Sequence, residues 1–120
     1  MPAASRSRPA GAVVLHSFAS HVRARPKNVF DALDARFRPD SDSETLYFAD
    51  SAAFLIVEQA GRWYRGEYRV VPDQDGSHIE YTMLNLTPDR WLSRLTARRI
   101  VADAPAQFER LARQLRLELE

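Results

Sequence analysis

Three tyrosines, Tyr64, Tyr68 and Tyr81, share one parity with Asn85 across two alternating stretches of the chain. A buried tyrosine hydroxyl or asparagine amide needs a hydrogen-bond partner. Four such tips on one face are suited to orient the oxygen atoms of a ligand, and equally to bond backbone at a sheet's end. Residue type leaves both readings open. The histidines His16, His21 and His78 are the other groups with acid–base or metal chemistry. Their spacing holds no i, i+4 pair, and His78 belongs near a turn on a wet face with no carboxylate expected beside it. No metal centre is therefore expected from them. Asp40-Ser41-Asp42-Ser43-Glu44 alternates oxygen-bearing side chains as a calcium loop does, but Thr45 stands where that loop needs glycine. A solvated acidic loop is expected instead. No Ser-His-Asp order, phosphate-binding glycine loop or nucleophile elbow is visible, so no catalytic residue and no cofactor is assigned.

The elements that position these groups begin with residues 61–86, which read as one long β-hairpin. Tyr64, Gly66, Tyr68 and Val70 alternate with Arg65, Glu67 and Arg69, and Ile79, Tyr81 and Met83 alternate with His78, Glu80 and Thr82. This period of two gives one buried and one wet face. Pro72-Asp73-Gln74-Asp75-Gly76 supplies the turn, with a glycine free to take positive φ. Pairing Val70 with Ile79 also sets Tyr68 opposite Tyr81 and Arg69 opposite Glu80. Gly66, facing Met83, is expected to mark a bend or close packing.

Residues 12–22 read as a first strand whose orientation is ambiguous, because both faces are apolar near its start. Pro26 opens a short amphipathic helix carrying Val29, Phe30, Leu33 and Phe37. Residues 45–49 and 52–58 read as two short strands turning at Asp50-Ser51. Phe54 and Ile56 form one face of the second and Leu55 and Val57 the other, as in a strand covered on both sides. Thr87-Pro88-Asp89 carries the signals of a helix start, giving a helix over 88–99 with Trp91, Leu92 and Leu95 inward. Asp103-Ala104-Pro105 then starts a separate C-terminal helix striped by Phe108, Leu111, Ala112, Leu115 and Leu119. Arg90, Arg94, Arg98 and Arg99 beside Trp91 would suit a phospholipid surface or an acidic partner. A solvated helix face explains them more simply.

A chain of 120 residues, 45% hydrophobic, is the size of one domain with a real core. Residues 1–11 read as a flexible tail and 12–120 as the domain. The absence of cysteine excludes disulfides and thiolate chemistry and fits the cytoplasm. A net charge of +1 argues against a dedicated nucleic-acid binder. No apolar run reaches the roughly 18–20 residues of a membrane span, so stable membrane insertion is not expected.

This order, strand, short helix, antiparallel strands and a C-terminal helix, resembles the helix-grip fold of the START and Bet v 1-like (SRPBCC) superfamily. Residues 22–30, Val-Arg-Ala-Arg-Pro-Lys-Asn-Val-Phe, look like that family's passage from first strand through A-x-P into the first helix. Phe108-Glu109-Arg110-Leu111 sits where its gripping helix begins. The chain departs from the family in showing about five strands rather than seven, as a shortened member would. The resemblance implies an α+β domain, a curved sheet gripped by the C-terminal helix, with a pocket between them for a small hydrophobic molecule. Candidate ligand-binding residues are Phe18, Phe54, Ile56, Tyr64, Tyr68, Tyr81, Met83, Asn85, Phe108, Leu111 and Leu115. The same side chains would otherwise simply fill a core. Two other functions stay open. One is a polyketide cyclase/dehydrase-like enzyme in which Tyr68, Tyr81 or Asn85 polarises a carbonyl. The other is an interaction module with a filled core, including a homodimer.

Overall fold

The computed structural model describes residues 3–88 and 95–120. Its elements are β1 (Val13–Val22), α1 (Pro26–Phe37), β2 (Leu46–Asp50), β3 (Leu55–Ala60), β4 (Tyr64–Asp73), β5 (Gly76–Asn85) and α2 (Leu95–Leu119). The strands form one antiparallel sheet in the order β1-β5-β4-β3-β2, so the first strand lies beside the last. Both helices pack on one face of it. The architecture is the expected α+β arrangement, a five-stranded sheet under a long C-terminal helix.

Period-two patterning fixed the hairpin: Val70 pairs with Ile79, Tyr68 with Tyr81, Arg69 with Glu80 and Gly66 with Met83. Its turn is tighter than five residues, because Asp73 already pairs with Gly76. Gly76 is required by close approach, since a Cβ there would lie 2.3 Å from the Val22 carbonyl oxygen. In β1 the register shifts between Val14, opposite Leu84, and His16, opposite Met83. Leu15 is the extra residue of a bulge, which flips the strand's parity and explains why its two ends read differently. From His16 onward the even residues face the helices.

Under α1 the core gathers Val22, Val29, Phe30, Leu33, Ile56, Val70 and Ile79, all buried. Tyr47 closes it at the edge by donating from its hydroxyl to Asp34 Oδ1 at 2.7 Å. The second short strand starts at Leu55 rather than residue 52. Phe54 falls in the preceding turn with φ 52°, a left-handed conformation that breaks the strand before it.

Residues 3–8 are not a loose tail. Ala4 is buried against Leu55 and Val57 on the sheet's outer face, and its N–H bonds the Tyr47 carbonyl at 3.2 Å. Arg65, which alternation places on a wet face, is 0% exposed there. Its guanidinium donates to the Ser5 carbonyl at 2.7 Å, the Arg6 carbonyl at 2.9 Å, Gln59 Oε1 at 2.8 Å and Glu67 Oε2 at 2.8 Å. A buried guanidinium is tolerated only with such satisfaction. Arg8 closes the clamp by a bidentate pair with Glu67.

The largest departure is at the C-terminus. The helix expected to start at Asp103 runs unbroken from Leu95, with Pro105 inside it. Proline has no N–H for the Val101 carbonyl one turn back. His16 of β1 supplies the missing donor, its Nε2–H reaching Val101 O at 2.9 Å. Tertiary contact thus overrides the local signal for a separate helix start at Asp103-Ala104-Pro105. Of the helix expected over 88–99, Leu95 to Arg99 belong to α2, where Leu95 is exposed rather than inward, while Asp89, Arg90, Trp91, Leu92 and Arg94 lie outside the described residues. Among the described residues, no helix is long and apolar enough to cross a membrane.

Candidate functional site

Because α2 leans on β1, through His16, Phe18 and a bond from Arg116 to Ser20 Oγ at 3.0 Å, it leaves the β3–β4 side of the sheet uncovered. The gap is a cleft of about 670 Å³ between the sheet, the end of α1 and one side of α2. Tyr64, Tyr68, Tyr81 and Met83 line it from the hairpin, Glu58 from β3, Phe37 from α1, and Ile100, Ala104, Phe108 and Leu111 from α2.

Its floor is a row of nearly parallel rings. Phe37 stacks on Tyr68 with centroids 4.7 Å apart, Tyr68 on Tyr81 at 4.6 Å, and Tyr81 on Phe108 at 6.0 Å. Direct cross-strand pairing makes this row, because Tyr68, Tyr81 and Phe18 occupy facing positions on three adjacent strands. Gly66 leaves room for the Tyr64 ring, as a Cβ there would lie 2.1 Å from the Tyr64 hydroxyl oxygen. Close packing is therefore what this glycine serves.

The Tyr64 hydroxyl is the centre of a polar chain. It donates to Glu58 Oε1 at 3.0 Å and lies 2.7 Å from the Tyr81 hydroxyl. Burial pushes the Glu58 carboxyl above the usual carboxylate range, against the opposing pull of the Tyr64 bond. Burial also raises the three phenols, reinforced by the nearby Glu58 charge: Tyr81 is pushed up to about 12, and Tyr64 and Tyr68 still further. These phenols stay neutral at physiological pH. The direction of the chain depends on Glu58. When it is ionised, the hydroxyl protons point toward the carboxylate and Tyr81 accepts its bond from elsewhere only through its lone pairs. When it is protonated, the order can reverse and Tyr81 has an O–H to offer into the cleft.

Of the eleven expected ligand-binding residues, Tyr64, Tyr68, Tyr81, Met83, Phe108 and Leu111 do line the cleft. Phe18 stands behind it, stacked on Phe108 at 5.4 Å. Ile56 and Leu115 are fully buried core, and Phe54 packs on Phe30 in its turn. Asn85 takes the backbone option, its Oδ1 accepting from the Thr87 N–H at 2.9 Å. The four-tip row thus splits, with only the tyrosines on the cleft. Glu58 was missed, although extending the Phe54–Ile56 alternation by two residues reaches it. Trp63, also in the lining, carried no signal beyond being aromatic, and Phe37 was read only as part of the apolar face of the first helix. No family model matches this chain and no curated protein matches it, so the reading of the cleft rests on the cleft's own geometry.

Proposed function

We propose that this domain is a shortened member of the START/Bet v 1-like helix-grip group and binds a small, mainly apolar molecule of lipid, polyketide or aromatic type in the cleft. The observation that carries this reading is the cleft itself, about 670 Å³ over a floor of stacked rings. That volume falls within the range of small-molecule sites, and a flat aromatic floor favours a flat ligand. The Tyr81–Tyr64–Glu58 chain would receive the ligand's oxygen at one end. The cysteine-free composition is compatible with a cytoplasmic protein.

Native mass spectrometry of the protein purified from its own host, beside a denatured extract, tests the proposal. One small molecule per chain, lost on denaturation and excluded by Ile100→Trp at the cleft wall, is the expected result. An apo mass together with no saturable binding of hydroxylated naphthalenes up to their solubility limit would overturn it.

A second reading, a cyclase/dehydrase-like enzyme, is favoured by the same three-residue chain, which sets a carboxyl of raised proton affinity in the cleft lining in line with two hydroxyls. Glu58→Gln separates the two. A binding protein keeps its affinity within a few-fold, whereas an enzyme using this proton loses turnover with little change in binding. An interaction module with a filled core draws no support from a domain with this cleft.

A further inference from the structure

On the outer face of the sheet, opposite the cleft, the hairpin tip meets the end of β1. His21 and His78 are direct cross-strand partners, and His78 is also paired with Val71, two residues before Asp73 on the same face. The register therefore gathers two imidazoles and the two turn carboxylates at one corner. His21 Nε2 lies 2.9 Å from Asp75 Oδ1 and 3.6 Å from Asp73 Oδ2. One ligand atom from each of His21, Asp73 and Asp75 lies within 4.8 Å of the other two. From the far side, His78 Nε2 approaches Asp73 Oδ2 at 2.8 Å.

A simple set of ion pairs does not account for the first of these contacts. His21 Nε2 is sealed from solvent yet has no partner of hydrogen-bonding geometry, because Asp75 approaches it off the N–H direction. A solvent-shielded ring nitrogen without a hydrogen-bond partner, set beside two carboxylates, is a donor set that a first-row cation would satisfy. The spacing agrees. Bonds of about 2.0–2.2 Å from a tetrahedral zinc to nitrogen and oxygen place neighbouring ligand atoms roughly 3.3–3.5 Å apart. The observed separations bracket that distance, so small side-chain adjustments would close the site.

We propose that His21 Nε2, Asp73 Oδ2 and Asp75 Oδ1 form a binding site for a zinc-class divalent cation, with His78 as the positioning residue that holds Asp73. An imidazole ligand favours first-row metals such as zinc over magnesium or calcium. Three protein ligands leave a fourth position for water. The competing cation, Arg23 with its Nε 3.8 Å from Asp75 Oδ2, is mostly exposed and free to swing away. The bound ion would add a further tie between β1 and the hairpin tip, which already pair through Val22 and Ser77. Sequence spacing does not reveal this site because its ligands meet only through strand register, 52 and 54 residues apart.

The test is titration of the full chain with zinc chloride at neutral pH. Binding is read by competition with a chromophoric chelator, and Tm is followed in parallel. One zinc per chain is expected, with Tm rising by roughly 10 °C at a hundredfold excess over Kd. Magnesium and calcium should give no such rise. His21→Ala should abolish binding and Asp75→Asn should weaken it at least tenfold. His78→Ala should weaken it about tenfold to a hundredfold through Asp73. Asp75→Asn, at an exposed turn, keeps the test decisive even if His21→Ala folds poorly. An unchanged Tm with no chelator competition, or zinc affinity retained in Asp75→Asn, would overturn the proposal.

Discussion

The imidazole of His16 donates to the backbone carbonyl of Val101 at 2.9 Å, the carbonyl that Pro105 leaves without a helical partner. An interior proline costs a helix about 3 kcal/mol, part of it through this lost bond. The strand thus repairs the helix, and the repair also fixes where α2 lies across the sheet.

That pairing predicts a coupled pair of substitutions. His16→Phe keeps the ring on Phe18 but removes the donor, and should cost about 1–2 kcal/mol by leaving a partly buried carbonyl unpaired. In a Pro105→Ala background the helix supplies its own N–H, and the same change should cost under about 0.5 kcal/mol. Urea denaturation of the four proteins checks it. Equal losses in both backgrounds would show that His16 acts only by packing.

Glu58 governs a pH dependence. Its folded-state pKa lies above its ordinary value of 4.5, mainly because of burial. Such a carboxyl contributes relative stability below its unfolded pKa, and that contribution is lost as pH rises through the folded value. Glu58→Gln retains the acceptor for Tyr64 and carries no charge. It should therefore raise Tm by about 4 °C at pH 7, for a gain on the order of 1 kcal/mol. At pH 4 the gain should vanish. Thermal denaturation across that range decides the matter, and a pH-independent gain would refute the charge explanation.

Acid should release the N-terminal segment. Burial alone would raise Glu67, but its bonds to Arg8 and Arg65 outweigh it and hold the carboxyl below 4.5. Its stabilising contribution is present above the unfolded pKa and is lost as pH falls through the lower folded value. Protection of the Ala4 amide, bonded to Tyr47, should fall in that window before the hairpin amides lose theirs. Arg65→Ala should abolish Ala4 protection at neutral pH and cost about 3–5 kcal/mol. Amide exchange measured by NMR reads both effects.

Gly66→Ala should fold but push Tyr64 aside, since the added Cβ meets the movable end of that side chain. Losing its place between Glu58 and Tyr81 should return at least one phenol toward the ordinary value of 10. Ultraviolet titration of tyrosine shows whether it does. A titration curve identical to the parent's would mean the ring did not move.

The hairpin and its register were legible because every choice of facing residues was tested at once by an apolar, an aromatic and a charged pair. The burial of Arg65 was not, because its acceptors include the carbonyls of Ser5 and Arg6, about half the chain away. The unbroken α2 was hidden for the same reason: local rules read Pro105 as the first turn of a new helix and cannot see His16. Ile56 and Leu115 have the right residue type and face for the cleft, and only the placement of α1 and α2 makes them core. Periodicity reveals which face is buried. It does not reveal whether a helix or a space lies above it.

The strand order leaves β1 at one margin of the sheet, ten residues long, with Val13 and Val14 substantially exposed. Exposed apolar residues on an unpaired strand edge invite edge-to-edge pairing. The bulge at Leu15 breaks its regular row of backbone donors and acceptors next to those two valines. Removing the bulge by deleting Leu15 would both reverse the strand's faces and straighten its border. The extra residue therefore interrupts the sheet's free edge as well as setting the register.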